Sequence, residues 1–311
     1  MTTGLPGPRM GNREWVLLGI LSLLWGTSFS LTEIILTEVP PLTIVFLRVL
    51  FAAIILFALL RLFRMRFPHG IKAWSLLAAT AFIGNAIPFS FIVWGQQYIP
   101  SSLAAILMAT GPLFTLLLAH YTTHDERMRP GKVLALVLGF FAVMVLVGPD
   151  AIKGIGRNVI GQLCILAAAL SYGTASIIGR KFQDLGLKPL PLATAQLCLA
   201  AVFLFPVMMG VEQPWAQEVP SWPLVLAIVA NGVLSTGIPY IIYFRILAVG
   251  GATNVMLVTF LVPVVAVVTG ALALNEQLEP RHFASMGLLA CALVAIDGRL
   301  AKSLRLPTLG G

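Results

Sequence analysis

Ten runs of predominantly apolar residues constrain this chain more than any other feature. They fall at 15–35, 41–60, 73–94, 101–121, 132–149, 160–179, 190–210, 221–244, 252–274 and 282–298. Crossing the hydrocarbon core of a bilayer takes about 20 such residues. Lipid offers no water to backbone N–H and C=O groups, so segments of this kind must satisfy them internally as helices. The fifth and tenth runs are the shortest, and the connections are too short to hold a soluble domain. The chain therefore reads as an all-α membrane protein with ten transmembrane helices. Composition agrees: 10% of residues are charged and 59% hydrophobic, against roughly 25% charged in soluble domains. Trp15, Trp74, Trp94, Tyr121, Trp215 and Trp222 flank run ends, as an interfacial aromatic belt would.

The basic residues set the orientation. Arg9, Arg13, Arg61, Arg64, Arg66, Lys72, Arg127, Arg129, Lys132, Arg180, Lys181, Lys188, Arg245, Arg299, Lys302 and Arg305 fall on one side if the runs alternate. Lys153, Arg157 and Arg281 fall on the other. This positive-inside bias places both termini in the cytoplasm. The net charge of +8 thus reflects topology, and no nucleic-acid partner is expected. The first run has the basic lead and small residues of a signal peptide, but its Gly26-Thr27-Ser28 pattern recurs deep in the chain, which argues against cleavage.

The chain also contains an internal repeat. Trp25-Gly26-Thr27-Ser28 matches Tyr172-Gly173-Thr174-Ala175, and Phe51-Ala52-Ala53 matches Leu199-Ala200-Ala201. Ala86-Ile87-Pro88-Phe89 matches Gly237-Ile238-Pro239-Tyr240, Pro112 matches Pro263, and Asp125-Glu126 matches Asn275-Glu276. The matches keep one order at offsets between 147 and 151. Each copy holds five runs, an odd number, so the second enters the membrane inverted. The expected layout is a cytoplasmic tail at 1–14, a first five-helix repeat at 15–149, a connecting loop at 150–159, a second, inverted five-helix repeat at 160–298, and a cytoplasmic tail at 299–311. Inverted repeats are characteristic of transporters that bind substrate near mid-membrane, at the repeat interface.

The WGTS element, Arg48 after the Pro40-Pro41 start of the second run, and the Pro112 and Pro263 runs followed by Glu126 and Glu276 resemble the drug/metabolite transporter superfamily. The likeness is to its ten-helix EamA-like branch and extends from about Trp15 to Leu300. It implies a multi-pass carrier of the cell inner membrane, exporting amino acids, other metabolites or drugs.

Candidate site residues follow from the polar and aromatic positions inside the runs. Arg48 is a charge within a helix, about 10 Å from its outer end at 1.5 Å per residue. Such a residue faces a cavity or a partner, and Glu33, at similar depth, is the partner the depth suggests. The repeat mate of Arg48 is Gln196. Trp25, Tyr172, Phe89, Tyr240 and Tyr243 suit a cavity for flat or amphipathic solutes, and Asn85 pairs with Thr236 by repeat position. Ser28, Asn231 and Asn254 are further candidates for lining it. Pro88, Pro112, Pro239 and Pro263 interrupt helical bonding at matched positions and are candidate hinges. Glu126 and Glu276, at run ends, suit helix termini better than proton coupling. Cys164, Cys198 and Cys291 lack CxxC spacing and the histidines lack HExxH spacing, so no metal, cofactor or catalytic residue is expected.

Three function classes compete. A secondary carrier fits the inverted repeat; no GxxxxGK[ST] motif is present to hydrolyse ATP. Protons are a candidate coupling ion, and a monomer or homodimer suits the fold. A channel or scramblase would favour a lined polar pore. An intramembrane enzyme would want paired carboxylates, a His cluster or a Ser/Lys arrangement within the helices. An importer of a small metabolite remains an alternative to an exporter.

Overall fold

The computed structural model describes residues 11–122, 130–152, 156–255 and 257–297. All regular structure among them is helical. Seven helices are long and apolar enough to cross a membrane: α1 (Asn12–Ile35), α2 (Pro41–Leu62), α3 (Ile71–Gln96), α4 (Ser101–Thr122), α6 (Arg157–Phe182), α7 (Pro189–Val211) and α8 (Trp222–Val249). Among the described residues three shorter apolar helices follow: α5 (Gly131–Val147), α9 (Val258–Leu274) and α10 (Pro280–Ala295). The fifth and tenth runs were the expected short ones; the ninth is short as well. Gly251, just before that run, is non-helical at φ 76°, ψ 168°, a backbone region that glycine enters without a Cβ clash, and α9 starts only at Val258.

These helices turn apolar side chains outward. Val16, Leu62, Phe140 and Val202 are all more than 60% exposed, which water does not tolerate over so large a surface. The interior is the more polar side: Thr32, Arg48, Asn85, Asn231, Ser235 and Thr236 are buried. Trp15, Trp94, Tyr121, Trp215 and Trp222 are exposed near helix ends, where an interfacial belt would put them.

Helix pairing is two-fold in character. α1 packs on α9 while α6 packs on α4; α8 packs on α1 and α2 while α3 packs on α6 and α7; α2 packs on α7, and α5 on α10. Shifting every helix number by five reproduces this pattern. Two glycines make the first of these pairs possible. A Cβ on Gly26 would lie 2.5 Å from Val265 of α9, and one on Gly173 would lie 3.0 Å from the Thr115 nitrogen of α4.

The same symmetry governs two wide turns. Residues Phe82–Ala86 of α3 and Val233–Gly237 of α8 form π-helical turns, each followed by Ile-Pro at 87–88 and 238–239. A proline supplies no N–H and crowds the carbonyl four residues back, and a wide turn relieves that crowding. The carbonyls it leaves short of donors are met from the opposite half of the chain. Ser171 donates its hydroxyl to the Ile83 carbonyl, and Arg48 reaches the Ser235 carbonyl at 3.4 Å.

Candidate functional site

Arg48 lies in the middle of the bundle, only 7% exposed. The apolar stripe of α2 is broken here by one guanidinium, which must find partners in a medium that penalises charge. Its Nε donates to the Thr236 hydroxyl of the second π turn at 2.8 Å. Its Cζ stands 4.6 Å from the centroid of Phe89, a cation–π distance. Phe89 meets Tyr172 edge-on at 6.3 Å. Tyr240 donates its hydroxyl to Asn85 Oδ1 in the first π turn at 2.9 Å. Two hydrogen bonds therefore cross between the halves in opposite senses: Arg48 to Thr236, and Tyr240 to Asn85. Gln196, the repeat mate of Arg48, likewise donates across to a threonine hydroxyl, that of Thr80, at 2.7 Å.

An aromatic row continues from this cluster. Tyr240 contacts Phe244 at 6.1 Å, Phe244 contacts Tyr243 at 5.4 Å, and Tyr243 contacts Trp25 at 5.9 Å. Beside it, between α2, α7 and α8, a cavity of about 290 Å³ is lined by Leu56, Leu59, Tyr240 and Phe244 together with Lys188 and Arg245. Both cations are exposed.

The opposite ends of the same three helices are tied together by carboxylates. Glu212, just past α7, accepts from the Leu42 and Thr43 N–H groups at the start of α2, each at 2.7 Å. Glu38 accepts from the Ser221 N–H ahead of α8 at 2.8 Å. Glu276 accepts from the Ser101 and Ser102 N–H groups at the start of α4, at 2.9 and 3.1 Å. Each of these carboxylates comes from one half and caps a helix of the other. The partial positive charge and unpaired N–H groups of a helix N-terminus favour this arrangement.

The remaining expected residues divide. Glu33 does not meet Arg48: its carboxylate accepts from the Ser101 N–H at 2.7 Å. Depth along a helix put the two together, but the rotation of α1 turns Glu33 toward α4, whereas Arg48 faces α8. Ser28 bonds back to the Trp25 carbonyl of its own helix. Asn231 is buried and donates to Thr32. Asn254 is half-buried beyond Gly251 and accepts at its carbonyl from the Leu257 N–H. Pro88 and Pro239 follow the π turns. Pro112 stands where α4 restarts after a break at Ala109–Thr110, and Pro263 lies inside continuous α9. Glu126 lies outside the described residues. Among the described residues no three His, Cys, Asp or Glu side chains are grouped as metal ligands.

Sequence reasoning missed several participants. The π turns carry no signal beyond the repeated Ile-Pro. Ser235, Glu38 and Glu212 are ordinary residues until their distant partners are known. Lys188 and Arg245 read as topology signals, not as the lining of a cavity.

Comparison with known proteins agrees with this architecture. The model of the EamA-like transporter family matches twice, at residues 13–148 and 159–296. The chain is 27% identical over 283 residues to the "Uncharacterized transporter YoaV" of Bacillus subtilis (strain 168), covering 89% of this chain and 95% of that protein. It is 24% identical over 294 residues to the "Probable amino-acid metabolite efflux pump" of Escherichia coli (strain K12), covering 91% and 94%. A solved crystal structure superposes with a TM-score of 0.66 at 19% identity, covering 94% of this chain and 99% of that one, a likeness of fold. The chain is a multi-pass membrane protein and belongs to the EamA-like transporter family.

Proposed function

We propose that this protein is a secondary carrier that exports a small organic solute across the cell inner membrane by alternating access. All ten apolar helices cross the membrane, the halves 15–149 and 160–298 are inverted relative to each other, and both termini are cytoplasmic. The substrate occupies the chamber bounded by Arg48, Asn85, Phe89, Tyr172 and Tyr240, with Trp25 and Tyr243 along its approach. Pro88, Pro112, Pro239 and Pro263 act as hinges. Protons are the coupling ion.

The observation that carries this reading is the reciprocal pair of bonds, Arg48 to Thr236 and Tyr240 to Asn85. Both use a π turn that a proline follows. Such turns are concentrated at functional sites, and two symmetry-related ones supply a matched pair of pivots. The carboxylate caps hold one end of the bundle shut while the cavity opens at the other, so the positive-inside orientation makes this a cytoplasm-facing state. Exchanging the conformations of the two halves would open the opposite end. The name of the Escherichia coli relative supports efflux as the direction.

Uptake into inverted membrane vesicles tests the proposal, with amino acids, organic acids, nucleosides and aromatic cations screened with and without a proton gradient. Saturable uptake that collapses with the gradient is expected. Uptake only into right-side-out vesicles would reverse the direction. Flux that never saturates would replace the carrier with a channel.

A further inference from the structure

Arg48 is a buried charge with no counter-ion among the described residues. A guanidinium carries five N–H donors. One is used on Thr236 at 2.8 Å and a second reaches the Ser235 carbonyl at 3.4 Å; among the described residues Nη1 makes no hydrogen bond. The nearby carboxylates are committed elsewhere: Glu33 and Glu276 to Ser101, Glu212 to Leu42 and Thr43, Glu38 to Ser221. The Phe89 face and two neutral phenols stabilise a cation only in part. A guanidinium held in this way presents a planar fork, the geometry that a carboxylate matches with two parallel bonds.

The approach has the same bias. The cavity is lined by Leu56, Leu59, Phe244 and Tyr240 together with the exposed cations Lys188 and Arg245. Cations lining an apolar cavity raise the local concentration of anions. Leu56 lies eight residues beyond Arg48 on α2, about 12 Å along the helix axis at 1.5 Å per residue. No carboxylate lines either the cavity or the Arg48 cluster among the described residues, so an ammonium group entering with the substrate would be unmatched.

We propose that the substrate is an organic monocarboxylate with an apolar or aromatic body and no ammonium group. Its carboxylate docks on Arg48 and its body lies against Phe89, Tyr172 and Tyr240. This rests on the carrier reading. It separates the chain from a carrier selective for zwitterionic amino acids, because the same body with an added amine binds worse.

Three probes of one shape decide it: phenylpyruvate, phenylalanine and phenethylamine, tested as ligands in a thermal-shift assay on purified protein and as competitors of flux in proteoliposomes. Phenylpyruvate is expected to protect and compete best and phenethylamine not at all. Arg48→Gln should weaken phenylpyruvate binding by on the order of tenfold to a hundredfold, the worth of a hydrogen bond to a charged group. If Arg48→Gln fails to fold, the exposed pair Lys188→Gln with Arg245→Gln is the second test: it should slow phenylpyruvate entry and flatten its salt dependence. Phenylalanine or phenethylamine competing as well as phenylpyruvate would overturn the proposal. Saturable flux of a solute that no carboxylate inhibits would also overturn it while leaving the carrier reading intact. Folded wild-type protein with no saturable flux of any solute would sink both.

Discussion

The Nε of Arg48 donates to the hydroxyl of Thr236 at 2.8 Å, joining α2 of one half to the π turn of the other. A second bond crosses in the opposite sense, from Tyr240 to Asn85 at 2.9 Å. Each connects a large side chain of one half to a small polar residue in the other half's widened turn. A conformational exchange between halves must break or re-form both together.

Thr236→Val keeps the shape of the side chain and removes the acceptor. It strands a buried charged donor, so the folded protein should lose about 2 kcal/mol. Tyr240→Phe removes only a neutral bond and should lose about 1 kcal/mol. Unfolding of purified protein in detergent measures both. A double-mutant cycle of Arg48→Gln and Thr236→Val should show clear coupling; strict additivity would mean that the bond is not formed.

Glu276 caps the start of α4 through Ser101 and Ser102. Glu276→Ala leaves the Ser102 N–H unpaired and the Ser101 N–H to Glu33 alone, and should cost about 1–2 kcal/mol, in the range of a lost cap. Glu33→Gln should cost far less, because the amide oxygen can still accept from Ser101 and one of two like charges near that N–H is removed. The ranking of melting temperatures checks this. Equal losses would show that the two carboxylates share the capping role.

The all-helical membrane fold was legible because lipid imposes one simple rule on each apolar segment. The aromatic contacts were partly legible: Trp25, Phe89, Tyr172, Tyr240 and Tyr243 are aromatics at repeat-related or neighbouring positions, and each makes a ring contact in the structure. The Glu33–Arg48 pair failed because counting residues gives depth but not rotation, and rotation is set by packing. For α1, part of that packing is the contact of Gly26 with Val265. The caps at Glu38 and Glu212 were illegible because each partner lies 169 or more residues away in the chain. The π turns were hidden because a proline marks a disturbed helix without saying which way the helix adjusts.

Gly26 faces α9 at a distance that leaves no room for a methyl group. Gly26→Ala would place its Cβ 2.5 Å from Val265 and 3.0 Å from the Val262 carbonyl, and overpacking of this kind costs about 1–3 kcal/mol. A Cβ at Gly19, on the same helix, would meet nothing within 4 Å, so Gly19→Ala should leave the protein's stability unchanged or slightly raised. Matching melting temperatures for the two variants would contradict the close approach of α1 and α9.

The carboxylate caps predict a lock. Cysteines in place of Glu38 and Ser221, whose side chains bond at 3.1 Å, should be joined by a short thiol cross-linker while the bundle is open at the Lys188 end. Cross-linking should abolish flux, and cleaving the linker should restore it. Full transport by the cross-linked protein would show that this end does not need to open.

The central claim is a carrier whose two halves alternate around one chamber, and counterflow in proteoliposomes tests it most directly. With the first solute found to saturate, preloading the liposomes with unlabelled solute should accelerate entry of labelled solute, and Pro88→Ala with Pro239→Ala should slow that exchange. Flux that rises linearly with concentration and ignores preloading would contradict the account.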